Sequence, residues 1–307
     1  MMEDHVLEIN EIIAMASSHV SDKCPFCPVP KNEDFVSHPG AEALGTTLAE
    51  IMIDPAQLVP KQANARPKDG ANERQAQPSK KPKPNPPLVH PIFGPYSYEA
   101  HHLIPGKQNL LKHEGDMESV MDGHPIEKWI CKSANIKKDT GYSINNSDNG
   151  VWLVSAPEDV KKLRGRKPER PWEREDHPKP NPNALTQTEK DEIADFAMNR
   201  GAGQFHYGKH AIDDESGTYA SYPKHVHKIL SQLNDRITAW SKECPNCGKK
   251  PSEPPYDPAW KVNEYLDLVS MSIEIDIRLM PPQTWQYFIS SHAMRRFKAI
   301  QTKVRSF

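Results

Sequence analysis

Two adjacent histidines, His101 and His102, stand in the stretch YEAHHLIPGK, residues 98–107. Successive residues of a strand point to opposite faces, so neighbouring imidazoles there divide two tasks rather than share one. Further along, FHYGKH sets His206 and His210 four apart. On a helix that spacing shares one face, and two imidazoles on one face can chelate one cation. With His101 added, three imidazoles suffice for a single divalent ion with coordination positions left open, while His102 stays clear of the metal. His225 and His227 are rivals, but two positions apart on a helix they cannot both face one ion. His177 is a weaker rival. The remaining histidines, His38, His90, His124 and His292 among them, read as surface or satisfied core residues. Asn149 precedes Gly150 in SDNG, a turn signal ahead of the apolar run Val151-Trp152-Leu153-Val154.

The cysteines suggest a second, structural metal. Four of the five form two Cys-x-x-Cys units, Cys24 with Cys27 and Cys244 with Cys247. Each unit can present two thiolates to one ion, and two units complete a closed tetrahedral zinc site. In a chain read as cytosolic, zinc is favoured over redox dithiols or disulfides. Such a zinc would tie the N-terminal arm to a segment beyond the core, and its binding energy becomes folding energy. Cys131 reads as a small buried apolar residue rather than a nucleophile.

The elements that must position these groups follow from pattern. The chain has 307 residues, 36% hydrophobic, with 30 prolines; that combination implies a core interrupted by long irregular segments. The formal charge of −2 provides no global basic field, so any affinity for nucleic acid must come from local charge. No apolar run reaches the roughly 20 residues of a membrane helix. The first twenty residues carry no Lys or Arg and read as a short amphipathic helix on Val6, Ile9, Ile13 and Ala16, not as a signal peptide. Residues 1–54 read as an N-terminal helical arm with the first Cys pair, 55–95 as a Pro/Lys-rich linker, 96–240 as the core, and 241–307 as the second Cys pair with C-terminal helices. Strands are expected at YSYEAHHLIP and at 151–154, and short helices around Pro125. A helix capped by Thr186 and Glu189 should stop at Gly201. A longer helix should start near Tyr219, and two more should be separated by Pro281-Pro282. Within an irregular insertion, 156–184, the run 161–174 holds seven Lys/Arg against two Glu. Its Lys161, Lys162, Arg164, Arg166 and Lys167 can grip phosphates without choosing sequence.

YEAHHLIPGK, then GYSINNSDNGVWL, then HYGKH resembles, in that order, the AHH nucleases of the HNH or ββα-metal (endonuclease VII-like) superfamily. The resemblance spans roughly residues 96–235. It implies an α+β, mainly helical fold, with a ββα-metal core embedded in helices, long Pro-rich segments and, from the cysteines, a four-cysteine zinc knuckle. It implies His102 as the general base for water and His101, His206 and His210 as ligands of one divalent ion, Mg2+, Mn2+ or Zn2+. It implies Asn149 as the residue that orients the base or braces the turn between strands. An imidazole suits the base because its pKa lies near neutrality.

The expected activity is metal-dependent, largely non-specific endonuclease action on double-stranded DNA, leaving 5′-phosphate and 3′-hydroxyl ends. The resemblance further implies an antibacterial toxin effector with a cognate immunity protein. Such a protein would be made in the bacterial cytoplasm, engage a secretion-apparatus component without membrane insertion, and be exported by a contact-dependent or type VI route into a target cell. The alternatives are a zinc-stabilised nucleic-acid-binding or adaptor protein with an inactive site, and a ribonuclease of the same fold.

Overall fold

A computed structural model describes residues 35–39, 45–54, 80–110, 124–157, 185–207, 221–243, 254–257 and 261–305. The helix expected on Val6 to Ala16 lies outside them, as do Cys24, Cys27, Cys244, Cys247, His177, His210 and the basic run 161–174. Five α-helices and one small sheet make the described fold α+β. The helices are α1 (Gly45–Ile53), α2 (Gln187–Asn199), α3 (Tyr222–Glu243), α4 (Lys261–Arg278) and α5 (Ser291–Arg305). The strands are β1 (Val89–His90), β2 (Gly94–His102) and β3 (Gly150–Pro157), in the order β1-β2-β3. No helix among the described residues is long and apolar enough to cross a membrane.

The chain divides into two compact units. One comprises 1–81, 102–151 and 226–273; the other comprises 82–101, 152–225 and 274–307. In the first, the apolar stripe of α3 (Val226, Leu230, Leu233, Ile237) and that of α4 (Tyr265, Leu266, Val269, Ile273) are buried, as their helical spacing requires. Trp129 Nε1 donates to Asn234 Oδ1 on α3 at 3.2 Å. Thr140 and Asn263 exchange two bonds, 3.0 and 2.8 Å long. The short helix around Pro125 is a single 3-10 turn, Pro125–Trp129, because Pro starts it and His124 caps it by accepting from the Ile126 N–H. Helix α1 falls within residues 1–54, the stretch read from the sequence as a helical arm.

In the second unit, β1 and β2 pair antiparallel, with Val89 opposite Pro95 and His90 opposite Gly94. Nδ1 of His90 closes the turn between them by accepting from the N–H groups of Ile92 and Phe93. Helix α2 begins with the expected capping box between Thr186 and Glu189. Its inner face (Ile193, Ala194, Ala197, Met198) is buried with Tyr96, Val154, Phe205 and Phe288 in one cluster. The Tyr96 hydroxyl donates to Ile193 O at 2.6 Å. Helix α5 is tied to α2 where Asp191 accepts from Nε and Nη2 of Arg295, at 3.0 and 2.8 Å, and from His292 Nδ1 at 2.9 Å. Helix α3 starts at Tyr222, directly after Ser221, which forms a parallel bridge with Phe288; Tyr219 lies outside the described residues.

Candidate active site

His101 and His102 are the last two residues of β2. His101 is buried and His102 half-exposed, the two-faced placement that a strand gives to neighbours. The two fall in different units, His101 in the second and His102 in the first.

Nδ1 of His101 lies 3.1 Å from Nε2 of His206, with the rings nearly perpendicular at 69°. His206 is 105 positions away in sequence, and its segment is fastened on both sides. The His206 N–H donates to Val154 O of β3 at 2.8 Å, and Gln204 N–H to Ile277 O at 2.8 Å. The Gln204 side chain bridges Tyr287 O and Ile289 N–H, and the Ser290 hydroxyl donates to Phe205 O. Gly201 and Gly203, with φ of 73° and 77°, turn the chain out of α2 toward the sheet. Residues 202–207 are consequently not helical. The shared helical face expected for His206 and His210 does not include His206, which approaches His101 from an irregular segment alongside β3. His210 is outside the described residues.

Behind His101 lies the buried ring of Tyr222, 5.4 Å between centroids, followed by Tyr287 at 5.6 Å from Tyr222. Burial pushes both phenols above their usual range. Burial also raises the Asp276 carboxyl that accepts from the Tyr287 hydroxyl at 3.0 Å. The two phenols, Tyr222 and Tyr287, form an uncharged wall behind His101. Glu99 lies two residues before His101, on the same strand face, and its Oε2 is 3.4 Å from Nδ1 of His206.

The spacing of the two histidine nitrogens suits an ion. Two imidazoles bound at about 2.1 Å to one metal place their nitrogens about 3.0 Å apart at right angles and about 3.4 Å apart in a tetrahedron. The observed 3.1 Å falls in that interval. Two imidazole donors suit Zn2+, Mn2+ and other divalent ions. Among the described residues no three acidic, Cys or His side chains converge on one point, since Glu99 faces the far nitrogen of His206.

In the other unit, Nε2 of His102 lies 2.9 Å from Oδ1 of Asn145. The amide oxygen is an acceptor, so Nε2 carries the proton and Nδ1 keeps its lone pair. Asn149 holds a different position. Its Oδ1 accepts from Ile104 N–H at 2.7 Å and from the Ser270 hydroxyl at 2.9 Å. Its Nδ2 donates to Ile104 O at 3.2 Å and to Ile144 O at 2.9 Å. Fully buried, Asn149 braces the segment after β2 against the loop before β3. Of the two roles expected for it, these bonds are those of the brace, and the amide facing His102 belongs to Asn145. Sequence reading passed over Asn145 because INNSDNG offers three asparagines and only Asn149 carries the Asn-Gly turn signal. Glu99 was legible through its two-residue spacing from His101, a signal the sequence reading left unused.

The rival histidines are engaged elsewhere. His225 stacks on Tyr287, 4.2 Å between centroids. His227 faces His124 at 4.5 Å and the Ser231 hydroxyl at 3.2 Å. Burial pushes the Cys131 thiol up to about 12, so it stays protonated and is not a nucleophile at neutral pH.

No curated protein and no solved structure matches the chain. One family model does, over residues 88–193. That segment holds β2, β3, His101, His102, Asn145 and Asn149 and ends before His206. Its description is a nuclease family of the HNH/ENDO VII superfamily with conserved AHH; Ala100-His101-His102 is that tripeptide here, and residues 88–193 match the AHH-type nuclease family.

Proposed function

We propose that this protein is a metal-dependent endonuclease that hydrolyses the phosphodiester bonds of double-stranded DNA with little regard to sequence. The observation that carries the reading is the 3.1 Å approach of His206 to the first histidine of the AHH tripeptide. His101 and His206 hold one divalent ion, Mg2+, Mn2+ or Zn2+, with His210 as a third imidazole. That ion, when bound, neutralises charge on the scissile phosphate and on the departing 3′ oxygen.

His102 is the general base. With its Nε2–H held by Asn145, Nδ1 takes a proton from water. The water oxygen attacks phosphorus and the P–O3′ bond breaks. The 3′ oxygen leaves and is protonated from solvent, so the products end in 5′-phosphate and 3′-hydroxyl. Asn149 keeps the two strand ends in register. Lys161, Lys162, Arg164, Arg166 and Lys167 add affinity for the phosphate backbone without reading bases. Cys24, Cys27, Cys244 and Cys247 hold a structural zinc. The resemblance of the domain to toxin modules supports an antibacterial effector, delivered into a neighbouring cell by a contact-dependent or type VI route. A cognate immunity protein with an acidic face would complement the basic run.

Supercoiled plasmid incubated with Mg2+ or Mn2+, with and without EDTA, tests this reading. Nicking that EDTA stops, and that falls by about 10²–10⁴-fold in His102→Ala, is expected. Plasmid left intact with every metal would instead favour the adaptor. Faster digestion of RNA in a parallel reaction would make the enzyme a ribonuclease.

A further inference from the structure

We propose that Glu99 is a positioning residue for His206. Its carboxylate holds the imidazole in the Nδ1–H tautomer and so turns the Nε2 lone pair toward Nδ1 of His101, where an ion is bound. The inference rests on the ion reading given above and adds to it a residue outside the AHH tripeptide.

Three observations lead to it. Glu99 and His101 are two apart on β2, so both side chains stand on one face of the strand. His206 enters on that face, fixed by its own N–H bond to Val154 O. Its two ring nitrogens then face different groups, Nε2 toward His101 at 3.1 Å and Nδ1 toward Glu99 Oε2 at 3.4 Å. The lone pairs of the two nitrogens diverge across the ring, so a carboxylate against Nδ1 cannot share an ion with Nε2. Glu99 is thus disposed to orient the ligand rather than to act as one.

A neutral imidazole carries one proton, and a carboxylate beside Nδ1 favours the tautomer that places it there. In the ion-free molecule, His101 then donates its Nδ1–H to His206 Nε2. On metal binding His101 moves to its other tautomer, and both facing nitrogens offer lone pairs. A contact of 3.4 Å is longer than a neutral hydrogen bond. It should shorten when a cation on Nε2 polarises the Nδ1–H, and a carboxylate behind a ligating histidine makes that histidine a stronger donor. The Glu99 side chain is 42% exposed, so replacing it should leave the core intact.

The test uses the full-length protein and its Glu99→Gln and Glu99→Ala variants. Long-range proton–nitrogen NMR of the metal-free proteins at neutral pH reads the His206 tautomer, and Mn2+ titration reads affinity. Wild type should show His206 as Nδ1–H. Glu99→Ala should show mixed tautomers and bind Mn2+ about 10- to 100-fold more weakly. Glu99→Gln retains an acceptor oxygen and should recover most of both. An unchanged tautomer with affinity within twofold in Glu99→Ala would overturn the proposal. A Glu99→Gln loss as large as that of Glu99→Ala would overturn it too, since a direct ligand behaves that way. The spectra are read without metal, so a wild type that binds no Mn2+ would refute the ion reading and still leave the tautomer to decide the role of Glu99.

Discussion

Oδ1 of Asn145 lies 2.9 Å from Nε2 of His102, and that contact favours the tautomer with the ring proton on Nε2. Removing it leaves the imidazole to sample the other tautomer and to rotate. Asn145→Ala should therefore lower kcat by about 10- to 100-fold, with KM and Mn2+ affinity little changed and the melting temperature nearly constant. Asn145→Asp, which keeps an acceptor oxygen, should recover much of the loss. Steady-state nicking of a short duplex measures this.

Asn149 should behave in the opposite way. Its side chain makes four buried bonds, to Ile104 twice, Ile144 and Ser270. Asn149→Ala leaves buried donors and acceptors unmatched, each costing about 1–3 kcal/mol. The variant should lose roughly 3–5 kcal/mol of stability. Denaturant unfolding of the Asn145 and Asn149 variants side by side would separate the positioning amide from the bracing one.

These contrasts mark how far the sequence could be read. Strands and helices with a clear period were legible. YSYEAHH alternates and forms β2; the α3 and α4 stripes recur at helical spacing and are buried; Thr186 and Glu189 form the capping box. The tripeptide and the GYSINNSDNGVWL motif fall in the segment, residues 88–193, that matches the nuclease family. The origin of His206 in an irregular segment was not legible, because it depends on non-local bonds to Val154 O and Ile277 O that no local pattern encodes. The choice among Asn145, Asn146 and Asn149 was hidden for the same reason: side-chain partners are set by tertiary placement.

Gly203 provides a direct probe of that irregular segment. Its φ is +77°, and an added Cβ would lie 2.7 Å from Ile277 O and 2.9 Å from Arg278 Cα. Gly203→Ala should cost roughly 2–4 kcal/mol, combining left-handed backbone strain and a clash with main chain. Gly201 has a similar φ of +73° but open space around it. Gly201→Ala should cost only about 1 kcal/mol. Melting curves of the two variants check the difference, and Gly203→Ala should also weaken Mn2+ binding by displacing His206.

Acid should weaken the unit that contains His124. That imidazole is buried, its Nδ1 accepts the Ile126 N–H at 3.1 Å, and it faces His227, Ser231 and Asp235. Burial, aided by His227, lowers its pKa from 6.5 to about 4. The folded value lies below the unfolded one, so the unfolded chain takes up the proton first as pH falls. The contribution is fully present above about pH 6.5, is lost progressively toward about pH 4, and changes no further below that. Its size is of order 3 kcal/mol. His124→Asn, which retains an acceptor for the Ile126 N–H, should flatten the stability profile between about pH 6.5 and 4. An equally steep profile in that variant would assign the slope to other groups, such as His292.

His101 and His206 are proposed to share one ion. Crystals of the full-length protein soaked in Mn2+, with diffraction recorded at the manganese absorption edge, test it most directly. One anomalous peak is expected about 2.2 Å from both His101 Nδ1 and His206 Nε2. Manganese bound elsewhere, in a protein that cleaves DNA with Mn2+, would contradict it.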